Sequence, residues 1–269
     1  MRARKGRVVF GSALVLILAV GVLSAAEPKR FRAVVIDAGH GGEDTGALGP
    51  RGLAEKELVL DVCLRLARSL RARGIEVTLT RGDDTFVPLE TRTSLANDAR
   101  ADLFVSIHAN SARSDKPSGI ETYFVSLDAS DESANQVAAR ENEAFGAAAD
   151  RIGNADPLMA LLGDMIVTEH VQESSEFSKL VQTELAGLGD GSSRGVKQAP
   201  FVVLMGVQMP ASLIEIGFLS NPAEEAALER PAYRGEIADA VARAVLRFAE
   251  RYDARRGIGS DVSRAATSR

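Results

Sequence analysis

The fold is decided by a short apolar strand that runs into a glycine-rich turn, which residues 33–42 spell as AVVIDAGHGG. An apolar run of this length bounded by glycines is typical of a strand buried on both faces, as in a parallel sheet. The turn holds His40, so a reactive side chain stands just past the carboxyl end of the strand. In open α/β sheets, binding sites form at this edge.

Outward from this strand, strand-like and helix-like patterns alternate along the chain. This alternation predicts a single-domain α/β fold with a mixed, largely parallel sheet flanked by helices. The predicted strands are Ala33–Asp37, Glu76–Thr80, Leu103–Ala109, Glu121–Val125, Phe201–Leu204 and Ser212–Ile216, and the predicted helices are Glu55–Arg73, Leu89–Arg100 and Pro231–Arg255.

Three other regions do not follow the alternation. Residues 128–190 are mostly helical in pattern, which indicates a helical insertion between two strands. Residues 1–26 have the basic start, the apolar run of Val8–Leu23 and the small residues before a cleavage site that are typical of a secretory signal peptide. A membrane anchor is the alternative, although the run is short for a span. We expect the polar residues 257–269 to form a disordered tail.

Composition excludes several classes of protein. Among 269 residues Cys63 is the only cysteine, so neither a disulfide scaffold nor a cysteine-rich zinc finger is possible. The net charge is −5, and without residues 1–26 it would be −9, with 28 basic against 37 acidic residues. Nucleic acid is therefore an unsuitable partner, because binding it needs a basic face.

Three polar side chains stand near the carboxyl ends of predicted strands. His40 follows the first strand, His108 lies near the end of LFVSIHAN at 103–110, and Glu215 lies near the end of SLIEIGF at 212–218. The sequence therefore predicts that they converge at one edge of the sheet. Each of them alone has an ordinary explanation, since a histidine at a strand end commonly serves only as a hydrogen-bonding group.

A fourth group follows from helix periodicity. Glu55 precedes Leu58 and Val59 by three and four residues and shares their apolar face, whereas Glu57 lies on the polar face. An inward carboxylate either needs a cation or caps the first turn. Two imidazoles and one carboxylate with an open fourth position are typical of a catalytic zinc site. Glu215 would then be the general base.

Longer stretches resemble the zinc-dependent N-acetylmuramoyl-L-alanine amidases of the amidase-3 family. The similarity extends over residues 33–250 with the family's order and spacing, and it implies an amidase catalytic domain at 27–256. The stretches that carry it are DAGHGGEDTGALGPRGLAEKE at 37–57, TRGDDTFVPLETRTSLANDARADLFVSIHANS at 80–111 and IEIGFLSN at 214–221.

The resemblance assigns roles to the four side chains. It implies that His40, Glu55 and His108 bind Zn²⁺ and that Glu215 is the catalytic glutamate. The implied substrate is peptidoglycan, cut at the amide between N-acetylmuramic acid and L-alanine of the stem peptide, during cell-wall remodelling and daughter-cell separation. Together with the signal peptide, this predicts a periplasmic enzyme, which we expect to be a monomer.

The insertion resembles that of the family's division-associated branch. There, a helix covers the active site, a glutamate on it occupies the open zinc position, and an activator with a degenerate LytM-type domain releases it. In AARENEAF at 138–145, Glu141 is the candidate for this glutamate and Glu143 the second choice. The run Leu161–Leu188 is expected to carry the activator-responsive segment.

Two other functions stay open at this stage. One is a non-catalytic, peptidoglycan-binding envelope protein on the same fold, and the other is a zinc peptidase that cuts a different amide. Several further residues are interpreted as structural: Ser193 of GSSRG lacks the strand–turn–helix context of a nucleophile, Cys63 is a core residue, His170 is a surface residue, Arg81 and Arg92 form ion pairs, and Asn110 and Asn221 shape a rim.

Overall fold

The computed structural model describes residues 30–143, 168–188 and 193–258. The predicted signal peptide and the tail beyond residue 258 lie outside these ranges. The strands are β1 (Ala33–Ala38), β2 (Glu76–Leu79), β3 (Leu103–Asn110), β4 (Ile120–Val125), β5 (Ser193–Ala199) and β6 (Ala211–Phe218). The helices are α1 (Glu55–Arg71), α2 (Leu89–Asp98), α3 (Glu132–Glu141), α4 (Thr168–Leu185), a 3₁₀ helix (Val202–Leu204), α5 (Pro222–Leu228) and α6 (Pro231–Arg255).

The six strands form one mixed sheet in the order β2-β1-β3-β6-β4-β5. The first four in this order run parallel, β4 pairs antiparallel with β6, and β5 pairs parallel with β4. The carboxyl ends of β1, β3 and β6 therefore meet at the same edge. The predicted fold class, a single α/β domain with a mixed, largely parallel sheet flanked by helices, is confirmed.

Helices cover both faces of the sheet. Alternate residues of β3 point to opposite faces, so Val105 and Ile107 join the core under α1, α4 and α6. Phe104 faces the second core, which α2, α3 and the 3₁₀ helix cover. His108 continues the phase of Phe104 and therefore lies on the α2–α3 side. Among the described residues, no helix is both long enough and apolar enough to cross a bilayer.

The predicted strand at Phe201–Leu204 is wrong. This segment contains the 3₁₀ helix, and the strand that precedes it is β5, with the sequence SRGVKQA. As an edge strand, β5 is mostly polar and only partly buried, so it has no apolar run to indicate it. The apolar segment Phe201–Leu204 is buried without being a strand. Phe201, for example, packs edge-on against Tyr123, with ring centroids 4.9 Å apart.

In the described part of the insertion at 128–190 there are two helices of different character. α3 packs on the face of the sheet that Phe104 occupies. α4 instead belongs to the core on the other face, the main core, where Phe177, Val181 and Leu185 are fully buried. Part of the run expected to respond to an activator is therefore α4, which contributes these side chains to the core, and residues 161–167 lie outside the described ranges. A short helix, α5, was not predicted; Asn221 caps it by accepting hydrogen bonds from two backbone N–H groups.

Candidate metal centre

His40 is positioned by a tight glycine turn after β1. Its backbone φ is +60°, a left-handed conformation that costs a residue with a side chain on the order of 1 kcal/mol. A Cβ atom at Gly39 would lie 2.4 Å from the ring of His108, and one at Gly46 would lie 2.5 Å from the ring of His40. Glycine at these two positions therefore allows the turn to bring the two imidazoles together, with ring centroids 5.0 Å apart.

Four side chains converge at this edge of the sheet. Glu55 Oε1 lies 3.1 Å from both His40 Nε2 and His108 Nδ1. Glu141 Oε2 lies 2.9 Å from His108 Nδ1 and 3.2 Å from His40 Nε2. The four ligand atoms all lie within 4.8 Å of one another. They come from the turn after β1, the first residue of α1, β3, and the last residue of α3.

Neighbouring groups hold these side chains in place. Asp44 Oδ2 lies 2.9 Å from His40 Nδ1, which directs the other ring nitrogen of His40 toward the cluster. Glu55 accepts backbone hydrogen bonds on both oxygens, from Ala47 at 2.8 Å and from Ala109 at 2.9 Å. Glu55 is therefore fixed at a defined position, and these two bonds tie it to the turn and to β3 rather than to the N–H groups of its own helix.

The cluster fits a divalent metal ion by its donors and by its unmet hydrogen bonding. His40 Nε2 and Glu141 Oε2 are buried and have no hydrogen-bond partner, although they are 3.2 Å apart. Two polar atoms so close together and unbonded are expected to share a third partner. Two imidazoles with carboxylates are the ligand set that zinc prefers when no thiolate is present.

The electrostatics of the cluster also favour a cation. Burial would raise the pKa of Glu55, but the charge of His40 and the hydrogen bond from His108 lower it to about 2. Burial would lower the pKa of His108, but Glu141 and Glu55 raise it to about 10. The pKa of Glu141 is held well below its usual value by the two histidines, against the effect of its own burial. The two carboxylates are thus charged and pair with protonated imidazoles, and a divalent cation would take the place of those protons.

Glu215 lies beside this cluster without belonging to it. In the sheet it pairs with His108 on one side and with Glu121 on the other, so all three side chains project from the same face. It is fully buried, and neither carboxylate oxygen has a hydrogen-bond partner. Burial, together with the charge of Glu141, raises the pKa of Glu215 well above its usual value. A carboxyl group with a raised pKa holds a proton more readily than an exposed one, which suits a group that takes up and returns a proton.

The carboxyl end of α3 is fixed over the cluster. Glu141 is only 7% exposed, and its second oxygen lies 3.3 Å from Arg140 Nε. The amide of Asn142, the next residue, donates to the carbonyl of Pro200 at 2.8 Å and accepts from the N–H of Val202 at 2.9 Å. The helix therefore reaches the cluster in one defined position.

Two buried arginines support the turn that carries His40. Arg92 donates to Asp37 Oδ1 at 2.8 Å, to the carbonyl of Ala38 at 2.6 Å and to the carbonyl of His40 at 2.8 Å. Arg92 thus forms an ion pair, as expected from the sequence, and its partner is Asp37. Arg81 instead donates to backbone carbonyls, among them those of Ala38 at the end of β1 and of Gly39 in the turn. Both arginines thus hold the backbone around a candidate ligand.

The other residues named from the sequence lie away from the cluster. Glu143 is exposed at the cavity rim, so of the two glutamates only Glu141 reaches the imidazoles. Cys63 is fully buried in the core. His170 lies 4.0 Å from Glu173 on α4. Ser193 starts an edge strand. Sequence reasoning missed three supporting groups, Asp44, Arg140 and Asn142. Arg140 and Asn142 contact residues far away in sequence, whereas Asp44 is only four residues from His40 but lies in an irregular turn that no periodic pattern describes.

Imidazoles and carboxylates that converge beyond the strand ends of an α/β sheet are typical of a metal-dependent hydrolase. The model of the amidase-3 family, described as N-acetylmuramoyl-L-alanine amidase, matches residues 34–247. The chain belongs to this family, as the sequence resemblance implied. It is an enzyme, an N-acetylmuramoyl-L-alanine amidase, and peptidoglycan is the substrate of this class.

Individual relatives agree with this assignment. The chain is 37% identical over 224 residues to the N-acetylmuramoyl-L-alanine amidase AmiA of Escherichia coli strain K12, covering 82% of this chain and 78% of AmiA. The crystal structure of the N-acetylmuramoyl-L-alanine amidase of Clostridium difficile 630 matches with a TM-score of 0.63 and 29% identity over 82% of this chain and 97% of that one. The CwlD amidase of Clostridioides difficile, solved in complex with the GerS lipoprotein, matches with a TM-score of 0.61 and 26% identity over 81% and 98%.

Proposed function

We propose that this amidase is a zinc enzyme of the cell envelope, that it cuts the bond between N-acetylmuramic acid and L-alanine during daughter-cell separation, and that α3 inhibits it. The observation that carries the proposal is the convergence of ligand atoms from His40, Glu55, His108 and Glu141 within 4.8 Å. The first three would hold the ion. Zinc bound there would supply Lewis-acid polarisation of the amide carbonyl and lower the pKa of a water molecule.

Glu215 performs the proton transfers in this proposal. Its unbonded carboxylate takes a proton from the attacking water, whose oxygen forms a bond to the lactyl carbonyl carbon. The same carboxyl group then gives the proton to the nitrogen of L-alanine as the carbon–nitrogen bond breaks. The products are a free lactyl carboxylate and a stem peptide with a free amino terminus. The raised pKa of Glu215 suits it to both transfers.

Glu141 supplies the inhibition. Its carboxylate stands where a fourth ligand would stand, so water and substrate are excluded while α3 is docked. A docked helix requires a signal that removes it, and a partner protein with a degenerate LytM-type domain is the activator that the resemblance implies. The neighbour CwlD, which was solved with a lipoprotein partner, is an example of an amidase of this fold in a protein complex.

The location follows from the amino-terminal pattern. Residues 1–26 read as a secretory signal peptide, and peptidoglycan lies outside the cytoplasmic membrane. We place the mature enzyme in the periplasm.

The decisive experiment compares the chain lacking residues 1–26 with its Glu141→Ala variant on purified peptidoglycan. We expect low hydrolysis by the first protein, faster hydrolysis by the second, loss of activity with a chelator and recovery with Zn²⁺. Product analysis should find new L-alanine amino termini and intact peptide bonds. Cleavage within the stem peptide would identify a peptidase instead, and Glu141→Ala without any zinc-dependent hydrolysis would refute the proposal.

A further inference from the structure

Arg140 occupies two hydrogen-bond acceptors at the end of β3. Its Nη2 donates to Asn110 Oδ1 at 2.9 Å and its Nη1 donates to the carbonyl of Ser111. Asn110 is 1% exposed and lies two residues after His108, on the same face of the strand. One guanidinium from α3 therefore fills two acceptors next to the candidate metal ligands, at the same time as Glu141 fills the ligand position.

The orientation of the Asn110 amide is set by the sheet and not by α3. Its Nδ2 donates at 2.9 Å to Glu121 Oε2, and a charged carboxylate can only accept, so the amide oxygen must face the other way. Glu121 is fully buried and also receives hydrogen bonds or ion pairs from Tyr123, Arg194 and Lys197 at 2.7–3.0 Å.

These contacts of Glu121 come from β4 and β5 and do not involve α3. The acceptor oxygen of Asn110 is therefore held in the same direction whether or not the helix is docked.

Removal of α3 would leave both acceptors without donors. A cavity of about 450 Å³ already lies beside Ser111 and Arg140, and His40, Glu55 and Glu141 also line it. Buried or partly buried acceptors need donors. A guanidinium offers two neighbouring N–H groups, and so does a short stretch of peptide backbone.

We propose that Asn110 Oδ1 and the Ser111 carbonyl bind backbone N–H groups of the stem peptide in the open enzyme, and that Arg140 takes the place of those groups in the closed one. This inference rests on the proposed function and extends it to the peptide side of the substrate. Because His108 pairs with Glu215 across the sheet, the peptide lies beside the group that protonates its amino terminus. Inhibition is then double, since Glu141 blocks the ligand position and Arg140 blocks peptide binding.

The test measures binding rather than turnover. The zinc-loaded variant Arg140→Ala/Glu141→Ala/Glu215→Gln is titrated calorimetrically with muramyl dipeptide, N-acetylmuramoyl-L-alanyl-D-isoglutamine. Adding Asn110→Ala should weaken the Kd about tenfold, as expected for a lost hydrogen bond in a buried place. Tyr123→Phe is the matched control, because it removes a donor from the same oxygen of Glu121 but leaves both acceptors, and it should change the Kd less than about twofold.

A second arm keeps Asn110 intact. Restoring Arg140 in the titrated variant should weaken binding about tenfold, because the guanidinium again fills the acceptors. The inference is overturned if restoring Arg140 has no effect, if Asn110→Ala binds normally, or if Tyr123→Phe weakens binding as much as Asn110→Ala does. Absence of zinc-dependent hydrolysis in Glu141→Ala would instead refute the proposed function, and the binding result would still decide the role of the acceptors.

Discussion

Glu215 is the neighbour of His108 in the sheet, and the proposed function gives the two residues separate tasks, which one substitution can tell apart. Glu215→Gln preserves the shape of the side chain but cannot accept a proton. We expect turnover to fall by about 10²–10⁴-fold, the usual contribution of a general base. Bound zinc should stay at one ion per chain, because Glu215 is not among the four converging groups. Atomic absorption and release of dye from labelled peptidoglycan, both in the Glu141→Ala background, check the two halves.

The control for this prediction is Glu184→Gln. Glu184 is another largely buried glutamate, but it pairs with Arg243 and Arg247 on α6, far from the site in the fold. It should keep both zinc and turnover. Near-normal hydrolysis by Glu215→Gln, or loss of its zinc, would contradict the assignment.

Arg92 touches the backbone of His40 and would affect a bound metal ion only through it. Arg92→Lys keeps the charge beside Asp37, yet a lysine cannot donate to Asp37 and two carbonyls in one plane. We expect zinc affinity to fall about 10–100-fold, as for other groups that orient a ligand. Competition with a chromogenic chelator measures it. Thr80→Val removes another hydrogen bond to Asp37 but none to the turn, and it should leave affinity unchanged. If Arg92→Lys bound zinc as tightly as the unsubstituted protein, the turn would keep its conformation without the hydrogen bonds of Arg92.

Sequence patterns predict those site residues whose direction a regular element fixes. A strand end places His108 and Glu215, and helix phase places Glu55 on the inner face of α1. Arg140 is not predictable in this way, because its partners are a side chain and a carbonyl at the end of β3, about 30 positions away in sequence. Such contacts depend on where the insertion packs, which no local period records.

At the scale of elements, hydrogen bonds from Asn142, the residue directly after α3, help to fix the position of this helix. Asn142→Ala removes two hydrogen bonds to the segment after β5 without touching the cluster. Each is worth about 0.5–1.5 kcal/mol, so the docked state should weaken and basal hydrolysis should rise roughly tenfold. Initial rates on purified peptidoglycan without an activator check this.

The matching control lies on the outer face of α3. Gln136→Ala removes a hydrogen bond that stays within the helix, to Glu132, so it should not raise the basal rate. An equal rise in both variants would mean that general loosening of α3, and not the Asn142 contact, sets the docked population. No rise in Asn142→Ala would mean that Glu141 and Arg140 suffice to hold the helix.

The errors in predicting elements also have physical causes. Apolar runs predicted β1, β3 and β6 closely, because central strands are buried on both sides. The edge strand β5 carries Arg194 and Lys197, which pair with the buried Glu121, so its pattern is polar. The apolar pattern instead marks the 3₁₀ helix that follows it. Hydrophobicity reports burial, and burial occurs in irregular segments as well as in strands.

At the scale of the whole molecule, the described part of the insertion joins two helices with different structural roles, α3 and α4. α3 is held by hydrogen bonds over the site, whereas α4 completes the main core. Ser178 bonds Ser212 of β6, and Gln182 bonds Thr122 of β4. A row of glutamates on α4 also pairs with arginines on α6, such as Glu184 with Arg243 at 2.7 Å. The sequence pattern marks all of residues 128–190 as an insertion, because it does not distinguish a helix that lies over the site from one that completes the core.

Two deletions should separate these roles. Replacing residues 131–166 by a glycine–serine linker removes α3 and keeps α4, so the protein should melt near the temperature of the intact chain and hydrolyse peptidoglycan without an activator. Deleting residues 128–190 also removes Phe177, Val181 and Leu185 from the core. Losing each such side chain costs about 2–5 kcal/mol, against a total stability of about 5–15 kcal/mol, so this second protein should not fold. Circular dichroism melts and peptidoglycan digestion measure both outcomes.

If the protein lacking residues 128–190 folded, α4 would not be part of the essential core. If the protein lacking residues 131–166 folded but were inactive, α3 would contribute to the open site as well as closing it.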